Sequence, residues 1–170
     1  MILDLPPEVE EVFREFWTCE LTTLTKDGTP VTWPVAFFFR PERGRFLISV
    51  TIGLPQKVFN IRRNPKVSLL FSNPTASGLT DPPAVLVQGD AEASDEVFTS
   101  FERLEESVLS PTTRERQPAG YRMSSNPLMR YLMDWYYMRL DVWITPRRIL
   151  WWDGGDFTSI PHECVMDHVE

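Results

Sequence analysis

The sequence predicts a mainly β domain with flanking helices, of the β-barrel or α+β type. Three observations support this fold class. The chain has 170 residues, of which 42% are hydrophobic, so residues 1–170 can form a single domain with one sizeable core. Fifteen prolines and eight glycines divide the chain into many short elements. Several of these elements are short β-prone or apolar runs bounded by turn residues, which is typical of strands.

The first half of the chain begins with a helix and continues as strands. Pro6 and Pro7 precede the acids of a first helical turn, and an apolar stripe follows up to Trp17. An Asp-Gly pair at positions 27 and 28 predicts a hairpin turn. Gly53 and Pro55 open a short helix, which Asn-Pro at 64–65 ends. The predicted strands here are residues 21–25, 31–39 and 45–50.

The second half of the chain adds four more strands and two helices. Ser94 is a plausible N-cap for a helix over residues 95–109, where apolar residues recur at helical spacing. A shorter helix is predicted over residues 128–135. The predicted strands are residues 67–71, 84–92, 138–144 and 148–152, the last two separated by a turn at 145–147.

Charge and cysteine content exclude several classes of partner. A net charge of −7 argues against nucleic-acid and membrane partners, and no apolar stretch approaches the ~20 residues of a membrane span. We therefore expect a soluble, cytoplasmic protein. Cys19 and Cys164 lie far apart without metal-ligand spacing, which favours free thiols. One segment departs from the acidic balance, because residues 40–66 contain seven bases and one acid, a local charge of 7 − 1 = +6.

This basic segment contains a pattern suited to a phosphate group. Residues Ser49, Val50 and Thr51 end a strand, and after a glycine-containing bend Gln56 and Lys57 stand in the first turn of a helix. Unpaired N–H groups at a helix start, together with a lysine and nearby hydroxyls, favour phosphate binding. The same pattern is compatible with an ordinary strand-to-helix connection that carries solvated bases.

The strand at residues 31–39 is interrupted by a proline. Pro34 cannot donate a ladder hydrogen bond, so it predicts an edge strand or a bulge. A flat aromatic ligand could lie against Trp33, Pro34 and Val35. Protection of an exposed edge against aggregation is the alternative explanation.

These motifs, taken in order, resemble the pyridoxamine 5'-phosphate oxidase-like, FMN-binding split β-barrel superfamily. The resemblance covers residues 21–92 and rests on the motifs DGTP at 27–30, PV at 34–35, RFL at 45–47, GLPQK at 53–57 and NPKVSLLF at 64–71, followed by a strand that contains Gly89. It implies a six-stranded Greek-key split barrel of the FMN-binding type. It also implies a homodimer, with FMN or the deazaflavin coenzyme F-420 held in a groove between the subunits.

The resemblance also assigns roles to individual residues. Lys57 matches the phosphate-binding lysine, with Gln56 beside it. Ser49, Val50 and Thr51 match the strand that passes the phosphate and ribityl chain, and Trp33, Pro34 and Val35 match the backbone beside the flavin ring. Trp151 either places its indole over the neighbouring subunit's cofactor or packs at the end of a strand.

The implied function is that of an FMN-dependent oxidoreductase, in which the cofactor transfers hydride or electrons to or from a small-molecule substrate. No catalytic side chain is implied. Pyridoxamine phosphate oxidation itself is disfavoured, because Trp33, Phe38 and Pro55 stand where those oxidases have an arginine, a lysine and a serine, and because their C-terminal substrate-binding arginine motif is not visible.

Three alternatives remain open at this point: a coenzyme F-420-dependent reductase, a non-enzymatic flavin sensor or carrier, and a barrel that has lost cofactor binding and serves only as an interaction module. The bases Arg62, Arg63 and Lys66 could serve the anionic tail of a deazaflavin or form a solvated helix face. The C-terminal His162, Cys164 and His168 are not expected to form a metal site, since no carboxylate-rich shell accompanies them.

Overall fold

The computed structural model describes residues 5–98, 126–132 and 138–166. The helices are α1 (Pro7–Glu15), α2 (Gln56–Arg63) and α3 (Pro127–Leu132). The strands are β1 (Thr18–Leu24), β2 (Pro30–Ala36), β3 (Phe38–Arg40), β4 (Arg45–Thr51), β5 (Lys66–Phe71), β6 (Ala84–Ala93), β7 (Arg139–Trp152) and β8 (His162–Val165). Within these ranges, no helix has the length and apolar character needed to cross a membrane.

The strands form one antiparallel sheet that curls into a split barrel. Its order is β2-β1-β5-β6-β7-β4-β3, and β8 pairs with the C-terminal half of β7. Strands β2 and β3 lie at opposite edges of this order, yet only Phe37 separates them in the chain. The sheet must therefore curve until its two edges meet. This is the mainly β split barrel that the sequence predicts, with six strands of six or more residues and the short β3 and β8 added.

Phenylalanine rings fill the core where α1 packs against the barrel. The Phe13 ring of α1 contacts the Phe46 ring edge-on, with centroids 4.9 Å apart, and Phe37 contacts Phe71 in the same way at 4.8 Å. Edge-to-face geometry is the favoured arrangement of aromatic rings and adds to the hydrophobic effect of burying them. The core therefore fixes α1 on the sheet, and Phe37 is buried at the point where the chain crosses from β2 to β3.

Strand β7 is continuous where the sequence predicts two strands and a turn. The pairing with β6 shifts register between Gln88 and Gly89, so that Arg147 is the extra residue of a β-bulge between Pro146 and Arg148. Pro146 stands beside this bulge, where the ladder is locally disrupted and a proline is tolerated. A Cβ atom on Gly89 would lie 2.3 Å from the Thr145 carbonyl oxygen, so glycine is required at this position. The predicted turn was wrong because the pairing with β6 continues on both sides of the bulge.

Three further predictions need correction or lie outside the described chain. Residues 95–98 are not helical: the Ser94 hydroxyl accepts from the Asp141 N–H at 3.1 Å, and Phe98 exchanges backbone hydrogen bonds with Arg139. The predicted strand 31–39 breaks at Phe37. Strand β8 was not predicted. The predicted helical residues 99–109 and 133–135 lie outside the described residues.

Candidate functional site

The candidate site begins where β4 turns into α2. The Leu54 N–H donates to the Thr51 carbonyl at 3.1 Å and closes a tight turn after the strand. The first hydrogen bond of the helix runs from the Phe59 N–H to the Pro55 carbonyl, and no side chain caps this helix start. The first N–H groups of a helix have no acceptor within the helix. The start of α2 therefore presents donors and a partial positive charge.

Lys57 lies in this uncapped first turn and is half-buried. Its Nζ atom lies 5.7 Å from the centroid of the Trp33 ring, a cation–π contact with β2. Burial lowers the pKa of Lys57 from the ordinary value of 10.5. Lys57 forms no ion pair with a carboxylate in the described part of the chain. A partly desolvated cation without a counter-ion would be stabilised by a bound anion.

The structure brings Trp33 and Lys57 together and shows what the neighbouring residues offer. Trp33 packs partly against the core. Val35 and Val50 are core residues, so their side chains are not available to a ligand. Pro34 is exposed on β2, which among the described strands pairs with β1 alone.

Ser49 and Gln56 differ in how their polar atoms are used. The Ser49 Oγ is buried and has no hydrogen-bond partner within the described residues. The Gln56 side chain is exposed but donates to Asn60 at 3.1 Å. Buried hydroxyls are normally hydrogen-bonded, so Ser49 is an unsatisfied group close to the β4 end.

Trp151 lies elsewhere in the same chain. Ser49 pairs with Asp141 of β7, and Trp151 is ten residues further along that strand. Ten residues of a strand span about 33 Å. Its indole stacks on His162 of β8 with centroids 5.3 Å apart. The His162 Nε2 atom lies 3.0 Å from the Asp153 carboxylate. A role for Trp151 at the cofactor of a second subunit stays a prediction, and His168 lies outside the described residues.

Asn60 is a site residue that the sequence analysis missed. It is fully buried, and its Nδ2 donates to the Thr23 Oγ1 of β1 at 2.9 Å. Its Oδ1 accepts from Gln56 at 3.1 Å and from Arg63 at 2.6 Å. The only signal in the sequence was an asparagine between Phe59 and Ile61 of a predicted helix.

Arg62 joins α2 to the segment that follows β6, whereas Arg63 hydrogen-bonds within α2. Arg62 donates to the Ser94 carbonyl at 2.8 Å and lies 3.3 Å from the Asp95 carboxylate. Arg63 donates to Asn60. Lys66, in contrast, is exposed at the start of β5. Two of the three bases considered for a deazaflavin tail are therefore engaged within the chain.

Comparison with known proteins adds independent information. A family model described as pyridoxamine 5'-phosphate oxidase matches residues 5–124. A conserved hypothetical protein from Mycobacterium tuberculosis superposes with a TM-score of 0.62 at 25% identity, covering 99% of this chain and 96% of that one. A search of curated protein sequences finds no match.

Two further solved structures share the split-barrel fold. An F420 reductase superposes with a TM-score of 0.55 at 19% identity, covering 85% of this chain and 98% of that one. A heme-binding protein from Mycobacterium smegmatis superposes with a TM-score of 0.54 at 18% identity, covering 96% of this chain and 60% of that one. At these identities the likeness concerns the fold alone.

Proposed function

The chain belongs to the pyridoxamine 5'-phosphate oxidase family, and from that membership we propose that it is an oxidoreductase that binds FMN. The FMN phosphate lies at the start of α2, and the flavin ring lies along β2. The substrate is a small molecule that exchanges hydride or electrons with the bound flavin.

The observation that carries this proposal is the environment of Lys57. Its ammonium is partly removed from water, lies in an uncapped first helical turn and forms no ion pair with a carboxylate of the described chain. Charge-assisted hydrogen bonds to a phosphate would compensate for this desolvation. The residues present therefore fit a phosphate-bearing cofactor.

Other groups complete the proposed site. The unsatisfied Ser49 hydroxyl is available as a hydrogen-bond donor near the end of β4. Trp33, Pro34 and Val35 belong to an edge strand, in which the Trp33 and Val35 backbone groups pair with β1 and the Pro34 carbonyl faces the open side as a possible acceptor for the polar edge of a flat ring. When bound, a flavin supplies the hydride or electron transfer, and the protein binds and orients it.

FMN is favoured over two other cofactors. A coenzyme F-420 tail would need free bases, and Arg62 and Arg63 are engaged with Asp95 and Asn60. Heme requires an axial ligand such as a histidine. His162, the histidine within the described ranges, stacks on Trp151 and contacts Asp153.

We further propose that the working form is a homodimer. Leu54 and Phe59 flank Lys57 and are 66% and 47% exposed, which leaves apolar surface beside the proposed phosphate site. A second subunit would cover this surface and could bring its own Trp151 to the flavin ring. Light scattering should then give twice the 19.7 kDa chain mass. A monomer that binds FMN would contradict this arrangement.

The identity of the cofactor is tested by denaturing the purified protein and analysing the released small molecule by mass spectrometry. We expect the mass of FMN. Release of a deazaflavin would contradict the choice of cofactor. If the purified protein carries none, titration of the apoprotein with FMN, followed by flavin fluorescence, makes the same test, and an absence of binding would contradict the proposal.

Oxidoreductase activity is tested separately from binding. Under anaerobic conditions a nicotinamide donor should bleach the flavin absorbance of the loaded protein, and an electron acceptor should restore it. A loaded protein that neither donor nor acceptor changes would be a carrier or sensor.

A further inference from the structure

The hydrogen bonds of Asn60 connect three parts of the candidate site. Its Oδ1 accepts from Gln56 in the first turn of α2 and from Arg63 in the last turn. Its Nδ2 donates to Thr23 on β1. Both Asn60 and Thr23 are fully buried. One side chain therefore links the two ends of a short helix and fixes the helix to the sheet.

Strand β1 also pairs with β2, the strand that contains Trp33. Leu21 pairs with Trp33 and Thr23 pairs with Val31 in the β1–β2 register. Because alternate residues of a strand share a face, Thr23 and Leu21 point to the same side. The contact between Asn60 and Thr23 thus sets the distance between the start of α2 and the Trp33 ring.

We propose that Asn60 is a positioning residue that, through Thr23, fixes where α2 holds the Lys57 ammonium for an anionic ligand. This inference rests on the proposed function only for the identity of the ligand. A buried asparagine is not the residue that maximises stability, since an apolar side chain would avoid the cost of burying an amide. What the amide adds is a directional link that allows one placement of the helix.

The position of Lys57 can be measured without any cofactor. The chain contains three lysines, Lys26, Lys57 and Lys66. Isotope-labelled lysine therefore gives three side-chain NMR signals, which substitution of each lysine by arginine assigns. Titration with pH then gives the pKa of each lysine. We expect the pKa of Lys57 to lie below the ordinary value of 10.5.

The matched variants are Thr23→Val and Thr23→Ser. Valine keeps the shape of the side chain but removes the acceptor for the Asn60 Nδ2, whereas serine keeps the hydroxyl. We expect Thr23→Val to move the pKa of Lys57 back toward the ordinary value of 10.5, and Thr23→Ser to leave it low. Asn60→Ala should act in the same direction as Thr23→Val.

A control separates positioning from a general loss of stability. Ile149 is fully buried on β7 and takes no part in the Asn60 network, so Ile149→Val lowers stability without removing a hydrogen bond of that network. It should not change the pKa of Lys57. A folded Thr23→Val protein with an unchanged Lys57 pKa would overturn the proposal, as would an equal change in Ile149→Val.

The effect on the ligand is measured by FMN titration of the same proteins. We expect Thr23→Val to weaken FMN binding about tenfold, because a displaced ammonium loses part of a charge-assisted contact, and Thr23→Ser to restore it. If the unmodified protein binds no FMN, the proposed function fails. The lysine titration then still decides whether Asn60 positions Lys57.

Discussion

The aromatic core and the Lys57 site differ in whether they contain buried polar groups that lack partners. In the core, the Phe46 ring contacts Phe13 edge-on at 4.9 Å and is fully buried, with no polar group to satisfy. At the site, the Lys57 ammonium is partly desolvated and the Ser49 hydroxyl is buried without a hydrogen bond. The first arrangement stabilises the fold. The second costs free energy until a ligand supplies the missing partners.

This difference teaches where to look for function in a small barrel. Buried polar groups are normally hydrogen-bonded, and a group without a partner calls for an explanation such as a bound ligand, water or ion. The Asn60 network lies between the two regions, since it is polar, fully buried and hydrogen-bonded to Thr23, Gln56 and Arg63. Polar groups without partners at the Lys57 site are thus adjoined by a network in which the Asn60 amide is hydrogen-bonded.

The largest expected effect on stability is that of Phe46→Ala. Removal of a fully buried ring leaves a cavity and should lower the free energy of unfolding by about 3–5 kcal/mol. Chemical denaturation checks this value. A loss below about 1 kcal/mol would mean that the core collapses around the cavity and that the ring contacts contribute little.

Ser49→Ala should have effects of opposite sign on stability and on binding. The cofactor-free protein should be unchanged or more stable, because the variant removes a buried hydroxyl that has no partner. FMN affinity should fall by about 0.5–1.5 kcal/mol, the range for one neutral hydrogen bond. Denaturation and FMN titration of the same preparation check both signs. A clear loss of stability with unchanged FMN affinity would make Ser49 a structural residue.

The lowered pKa of Lys57 predicts opposite pH dependences for folding and for binding. Between its folded pKa and the ordinary value of 10.5, the unfolded chain binds more protons, so the free energy of unfolding of the cofactor-free protein should rise with pH. FMN affinity should fall over the same range, because the ammonium is lost.

The control for this pH dependence is Lys57→Arg, whose guanidinium stays charged. Urea denaturation and FMN titration between about pH 8 and pH 10 compare the two proteins. Identical pH profiles would show that Lys57 does not titrate in this range.

The smallest expected effect is that of Arg14→Ala on the surface of α1. Arg14 pairs with Glu10 at 2.6 Å, but both side chains are in contact with water. Exposed pairs of this spacing contribute about 0.3–0.5 kcal/mol. Thermal unfolding at low and high salt checks this, and a loss above about 1 kcal/mol would give α1 an electrostatic role that the aromatic core is expected to make unnecessary.

Local patterns predicted most of the fold. The Asp-Gly turn, the short apolar runs and the prolines of α1 each act within a few residues, and the family resemblance and the split barrel are confirmed. The predicted turn at 145–147 failed because pairing with β6 on both sides of Pro146 outweighs the local preference for a turn. Strand β8 was not predicted for a related reason, because it is defined by its pairing with β7.

The candidate site was predictable only in part. Lys57 and Trp33 could be named from motifs, whereas the role of Asn60 depends on Thr23, which is 37 residues away in the chain. The role of Arg62 likewise depends on a distant residue, Asp95, which lies in a segment that was predicted to be helical. Contacts between distant segments are set by the tertiary structure and leave no periodic signal in the sequence.

The central claim, that Lys57 holds the phosphate of a flavin, is tested most directly by comparing Lys57→Ala with Lys66→Ala in FMN titrations of the apoproteins. Each variant removes one positive charge, but Lys66 is exposed on β5. We predict that Lys57→Ala weakens FMN binding by about 1.5–3 kcal/mol, or roughly ten- to a hundredfold, with little change in stability, and that Lys66→Ala leaves affinity nearly unchanged. Equal losses in both variants would indicate general electrostatic attraction, and an unchanged affinity in Lys57→Ala would contradict the claim.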